Sequence, residues 1–176
     1  MSGMIVWITG LPSSGKSTLA RGMISALRER ELAAVWLDSD DLRSVLTPNA
    51  TYSPAERDQF YAALAHLAGL VSDAGAIAVV SATASKRAYR DAARARVDRF
   101  AEIWLTCDMA ELRRRDSKGL YARAAAGELD NVPGAGATYE PPEHAELVLD
   151  SGRDSPAELV AAATRWLDSA LAPETT

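Results

Sequence analysis

Gly10-Leu11-Pro12-Ser13-Ser14-Gly15-Lys16-Ser17 fits the pattern G-x-x-x-x-G-K-[ST]. An apolar run, Met4–Thr9, precedes it, and Leu19, Met23 and Leu27 follow on one helical stripe. A loop of this composition between a strand and a helix has a mechanical meaning. The glycines let the backbone curl until its N–H groups face a phosphate, Lys16 reaches the β- and γ-phosphates, and the Ser17 hydroxyl can ligate Mg²⁺. The helix adds its positive N-terminal dipole. Gly10, Ser13, Ser14, Gly15, Lys16, Ser17 and Thr18 are therefore the candidate nucleotide-binding residues, with ATP or GTP as the ligand and Ser17 as the candidate metal ligand. The competing reading is a glycine-rich turn that binds nothing.

Working outward, short apolar runs alternate with helical patterns. The runs are Met4–Thr9, Ala34–Asp38, Ala76–Ser81, Ile103–Thr106 and Leu147–Leu149, each flanked by turn residues or charges. Residues 55–74 carry Phe60, Leu64, Leu67 and Val71 at helical spacing and open on Ser53-Pro54-Ala55-Glu56, which predicts a capping box. Ser155-Pro156-Ala157-Glu158 predicts the same for the last helix. Five strands alternating with helices imply an α/β three-layer sandwich around a mostly parallel five-stranded sheet, as in P-loop NTPases. Residues 1–176 read as a single domain. Ligands in such folds lie at the carboxyl ends of the strands.

The second strand ends there in acids. Val35-Trp36-Leu37-Asp38 runs into Ser39-Asp40-Asp41-Leu42-Arg43. Asp38 and Asp40 would emerge beside the phosphate loop, one to order water around Mg²⁺ and one to accept a proton from an attacking hydroxyl. Arg43, one turn further, could meet an anionic acceptor. The alternative is that Asp40 or Asp41 is a helix N-cap. The third strand carries no acid, and no N-K-x-D guanine reader follows, which weighs against a GTPase switch and favours a small-molecule kinase.

Composition bounds the partners. The 176 residues carry 19 Lys+Arg against 24 Asp+Glu, a net charge of −5, which argues against a nucleic-acid surface. Cys107 is the only cysteine, which excludes a disulfide framework and a cysteine zinc site, and His66 and His144 are the only histidines, which weighs against a histidine-rich metal centre or a histidine triad. The chain shows neither a signal peptide nor a run approaching a membrane span, and a cytoplasmic, reducing compartment is the expectation.

These motifs resemble the adenylyl-sulfate (APS) kinase family of P-loop kinases over roughly residues 4–150. Leu37-Asp38-Ser39-Asp40-Asp41-Leu42-Arg43 is close to that family's L-D-G-D-N-x-R, and Tyr52-Ser53-Pro54-Ala55-Glu56-Arg57 to its F-S-x-x-D-R. The most specific piece is Arg115-Asp116-Ser117-Lys118-Gly119-Leu120-Tyr121, followed by Ala126-Gly127-Glu128 and Tyr139-Glu140-Pro141-Pro142. The resemblance implies transfer of the ATP γ-phosphoryl, with Mg²⁺, to the 3′-hydroxyl of APS to give PAPS, the activated sulfate of sulfate assimilation. It implies Lys16 and Ser17 on the phosphates and metal, Asp40 as general base, and Arg43 and Arg57 on the acceptor's phosphosulfate. It implies Tyr52 stacked on the acceptor base, Arg115 against the ATP adenine, Lys118 in a mobile lid at about 116–142, and a homodimer.

The residues bear on some of this independently. Arg57 shares the stripe of Phe60, Leu64 and Leu67, where a cation needs a reason such as an anionic ligand; otherwise it splays to solvent or pairs with Asp58 or Asp41. The Gly/Pro-rich stretch 127–143 would pack little and move easily, or form a plain solvent loop. Arg87, Arg90 and Arg94 form either an anion stripe or a face paired with Asp91 and Asp98, and only Arg87 lies near the strand edge. Trp7, Trp36 and Trp104 fall on strands and read as core.

The chain departs from the family on the acceptor side. Gln59-Phe60-Tyr61-Ala62-Ala63 stands where E-N-I-R-R is usual, Ser81-Ala82-Thr83-Ala84-Ser85-Lys86-Arg87 where S-x-I-S-P-Y-R is usual, and Val132 where a second stacking aromatic is usual. Three readings follow: an APS kinase with fewer acceptor contacts, a paralogue with another hydroxyl acceptor, or a nucleotide-binding protein without kinase activity. The candidate site gathers Lys16, Arg43, Arg57, Arg87, Arg115 and Lys118 against Asp38 and Asp40. Local potential of that kind can draw a small polyanion to an acidic chain.

Overall fold

The computed structural model describes residues 3–172. Its elements are β1 (Met4–Thr9), α1 (Lys16–Glu29), β2 (Ala34–Asp38), α2 (Ser39–Leu46), α3 (Pro54–Asp73), β3 (Ile77–Ser81) and α4 (Arg87–Arg94). There follow β4 (Phe100–Thr106), α5 (Met109–Arg115), α6 (Leu120–Ala125), β5 (Val132–Pro133), β6 (Gly136–Ala137), β7 (Leu147–Asp150) and α7 (Pro156–Leu171). The main sheet is five-stranded in the order β2-β3-β1-β4-β7, and every pairing in it is parallel.

Every residue of β1 is buried, as the centre of a parallel sheet covered on both faces requires. The pleat sends Met4, Val6 and Ile8 to one face, against Leu19, Met23 and Leu27 of α1 and Leu159 and Leu167 of α7. Ile5 and Trp7 point to the other face, against Phe60, Leu64 and Ala68 of α3 and Tyr89 of α4. Trp7 is fully buried, as read from the sequence, whereas Trp36 and Trp104 are half-buried.

Register brings the strand ends level. Asp38 pairs with Ser81 and Ile8 also pairs with Ser81, so the acid of β2 lies beside the start of the phosphate loop. Two N-terminal caps show how local chemistry starts the helices. Ser155 and Glu158 form the full reciprocal box at α7. At α3 only half of it forms: the Glu56 amide donates to the Ser53 hydroxyl, but the Glu56 carboxylate turns to the amide and hydroxyl of Thr51 and the amide of Tyr52.

The 116–142 segment is better packed than its composition suggests. It contains α6 and the two short paired strands β5 and β6. Its Tyr121 and Val132 form a small core with Leu112 of α5, and Leu11 of the phosphate loop packs against it. Among the described residues no helix is long and apolar enough to cross a membrane.

Candidate active site

The loop between β1 and α1 takes backbone conformations that its sequence allows. Gly10 (φ 153°) lies so close to β4 that a Cβ there would meet the Leu105 carbonyl oxygen at 2.4 Å. Gly15 (φ 94°) is the left-handed N-cap of α1, and no side chain caps the helix, so its first amides face the cleft. Ser14 is buried and its hydroxyl has no protein partner. An unpaired buried hydroxyl in a loop of amides fits a cradle built for an anion. The loop lines a cleft of about 520 Å³ that also takes in Lys16, Ser17, Thr18, Asp40, Ser81, Thr83, Arg115 and Lys118.

Lys16 donates its ammonium to the Leu11 carbonyl at 2.8 Å. Burial pulls its pKa down to about 8; Asp40 and Asp38 oppose that fall and Lys118 adds to it. Lys118 reaches across the cleft and donates to the Asp40 carboxylate.

Asp38 is the junction of the site. Ser17 and Ser81 both donate to its Oδ2 at 2.7 Å, and the Asp40 and Asp41 amides donate to its Oδ1 at 2.9 and 3.2 Å. Burial would raise its pKa, and the four hydrogen bonds outweigh that and hold it below the usual carboxylate range. Asp38 is also the N-cap of α2, so the cap is neither Asp40 nor Asp41. The Ser17 hydroxyl and the Asp38 carboxylate form a pair of hard oxygen donors beside the phosphate loop. That set suits Mg²⁺, which binds through one or two protein oxygens and fills its remaining positions with water and phosphate. Ser81 was not singled out from the sequence as a site residue; the signal available was its place at the end of a strand level with Asp38. The Trp36 indole donates to its hydroxyl at 2.9 Å and orients it.

Arg115, the last residue of α5, also lines the cleft. It donates to Glu111 at 2.8 Å and to the Ser151 carbonyl at 2.5 Å, and Asp154 and Pro156 line the cleft with it.

The remaining predicted residues do not line that cleft. Arg43 is buried, with its guanidinium 3.7 Å from the Phe60 ring centre and 3.5 Å from Glu56. Tyr52 is 44% exposed, with Arg43 and Arg57 flanking its ring at 5.0 and 5.7 Å. Arg57 neither splays to solvent nor pairs with Asp58 or Asp41. It donates to the backbone carbonyls of Tyr52 and Asn131 at 3.0 and 2.8 Å. Val132 is a correction: at 3% exposed it is core to the 116–142 segment, held by Leu112 and Tyr121, and presents no face to a ligand. Arg87 is tied to Glu140 and Glu143, Arg90 to Glu102, and Arg94 to Glu102 and Glu146, so the expected partners Asp91 and Asp98 give way to glutamates distant in sequence.

With this geometry in place, the sequence profile of the adenylylsulphate kinase family matches residues 2–150. The chain belongs to the adenylylsulphate kinase family. The resemblance drawn from residues 4–150 is thereby borne out over nearly the same span. The chain is 35% identical over 158 residues to a probable adenylyl-sulfate kinase of Pyrococcus abyssi, covering 90% of this chain and 91% of that one. It is 38% identical over 161 residues to a probable bifunctional SAT/APS kinase of Sorangium cellulosum, covering 92% of this chain but only 28% of that longer protein. The fold matches that of the Mycobacterium tuberculosis APS kinase CysC, solved in complex with AMPPNP and APS, with a TM-score of 0.89 at 33% identity, covering 95% and 98% of the two chains. The expected fold, a P-loop sandwich on a parallel sheet, therefore holds.

Proposed function

We propose that the chain is an ATP-dependent kinase that transfers the γ-phosphoryl group to the 3′-hydroxyl of APS, giving PAPS and ADP. The observation that carries this reading is the convergence of Lys16, Asp40 and Lys118 on one cleft at the carboxyl edge of the sheet. The family membership and the APS-bound relative support the choice of acceptor.

The transfer asks little covalent chemistry of the protein and much positioning. The loop amides and the Lys16 ammonium hold the β- and γ-phosphates and neutralise the charge that develops on them. Asp40 takes the proton of the acceptor hydroxyl as its oxygen bonds to the γ-phosphorus. The bond from that phosphorus to the bridging oxygen breaks, and ADP leaves with the electron pair. Ser17 and Asp38 would hold Mg²⁺, which when bound supplies further neutralisation of phosphate charge. We assign the 116–142 segment as the lid: it carries Lys118 to Asp40 and excludes water from the cleft.

One observation favours a second reading. Arg43, Arg57 and Arg87, the cations assigned to the acceptor, are each engaged by groups of the protein itself. An APS-kinase-like enzyme with a different hydroxyl acceptor would have that arrangement. A coupled assay of ADP release with APS against other nucleotides and sugar nucleotides separates the two. APS-dependent ADP release supports the first reading; release with another acceptor and none with APS supports the second.

A further inference from the structure

We propose that Arg90 is a positioning residue for the transfer: its buried guanidinium pins the C-terminal root of the lid to the loop after β3, and so sets where Lys118 meets Asp40. The proposal rests on the kinase reading above.

Arg90 lies in the middle of α4 and is 1% exposed. A guanidinium so buried must find partners for its N–H groups and a counter-charge. Its partners come from three elements. One terminal nitrogen donates to the Ala84 carbonyl in the loop after β3, and the other donates to the Glu140 carbonyl at 2.7 Å. Its charge is met by Glu102 of β4, whose Oε1 is 2.5 Å from Nε without an aligned hydrogen bond.

The junction extends around it. The Glu140 amide donates to the Ser85 carbonyl at 2.8 Å, and the Arg87 amide donates to the Glu140 carboxylate at 2.7 Å. Tyr139 and Thr9 share a hydrogen bond at 3.1 Å, and Thr9 donates to the Thr83 carbonyl at 2.7 Å. Thr9 is the residue before Gly10, and Thr83 lines the cleft. One knot, with Arg90 buried at its centre, therefore ties the phosphate loop, the loop after β3 and residues 139–140 together.

The rest of the lid is held differently. Lys118 and Asp40 are 55% and 63% exposed in their pair. Beyond that, Tyr121 donates to the Pro12 carbonyl at 3.0 Å, and Asn131 accepts from Arg57. Tyr121 and Val132 are buried against Leu112 and Leu11, so the segment moves as one packed unit whose C-terminal end this junction fixes. Loosening the junction would misplace Lys118 without touching it.

Arg90→Met alone would leave the buried Glu102 with only its longer contact to Arg94 at 3.8 Å, and a failure to fold would say nothing. The test therefore uses Arg90→Met/Glu102→Gln, and separately Arg90→Lys, which keeps the charge but cannot span both carbonyls. Expected is a fall of about tenfold or more in kcat for APS-dependent ADP release, with the ATP KM changed less than about threefold. In a Lys118→Ala background the same substitutions should change kcat less than about twofold. The full loss recurring in that background, or no loss in either, overturns the proposal. Hydrogen exchange supplies the readout independent of turnover. AMPPNP should protect the amides of residues 120–138 in the wild-type chain and fail to do so in both variants, with the sheet amides unaltered. Equal protection in variant and wild type overturns the proposal. A wild-type chain inactive on APS would overturn only the acceptor assignment, and the exchange result would still decide the role of Arg90.

Discussion

The ammonium of Lys118 lies on the carboxylate of Asp40, 78 residues earlier in the chain. It joins the proposed lid to the proposed general base across the mouth of the phosphate loop. Both groups are more than half exposed, so the pair adds at most about 1 kcal/mol to stability. Its value lies in position rather than in holding the fold.

Lys118→Ala should therefore separate activity from stability. Steady-state kinetics should show kcat reduced by about 10- to 100-fold, and calorimetry a Tm shift below about 4 °C. Asp40→Asn should lower kcat by about 10²- to 10⁴-fold, the usual contribution of a positioned base. Wild-type rates in either variant would remove that residue from the mechanism.

Asp38 caps the helix, holds the strand edge and is the proposed partner of Ser17 on the metal. Asp38→Ala removes the N-cap of α2, which costs about 1 kcal/mol, and leaves the Ser17 and Ser81 hydroxyls without their acceptor. The expected outcome is a modest loss in denaturant stability together with a Mg²⁺ activation curve displaced to higher concentration. A displaced melting curve with an unchanged Mg²⁺ dependence would assign Asp38 to structure alone.

The pKa of Lys16 gives a pH dependence with a definite sign. In the free protein, burial lowers it to about 8 from its ordinary 10.5. A bound polyphosphate favours the charged form, so binding takes up a proton wherever the free protein has lost it. Nucleotide affinity should be level below about pH 8 and fall as pH rises above it, approaching tenfold per unit. Titration calorimetry in buffers of different ionisation enthalpy would detect the uptake. Lys16→Met should bind nucleotide weakly, with a flat pH profile over the same range, and should not turn over.

The sequence made the nucleotide side of this molecule legible and much of the acceptor side illegible, for physical reasons. Met4–Thr9 matches β1 residue for residue because a fully buried parallel strand leaves an unbroken apolar run, and Ala34–Asp38 matches β2, a half-buried edge strand, because its apolar run stops at Asp38. β4 begins three residues before its expected start, since Glu102 interrupts the apolar pattern, and Arg90 and Arg94 from a separate helix make its burial tolerable. The glutamates that tie Arg87, Arg90 and Arg94 lie too far along the chain for any spacing rule to find them. The 127–143 stretch looked unpacked because its glycines and prolines hide Val132 and Tyr139. Each is fixed by partners elsewhere, Val132 by Leu112 and Tyr121, and Tyr139 by Thr9.

The most direct measurement is the fate of the γ-phosphoryl group. The chain is incubated with γ-labelled ATP, Mg²⁺ and APS, and the product is mapped by mass spectrometry and phosphorus NMR. The expected result is one labelled phosphate per APS, on the 3′-oxygen, with stoichiometric ADP. Label on another position, or ADP formed without a phosphorylated APS, would contradict the account.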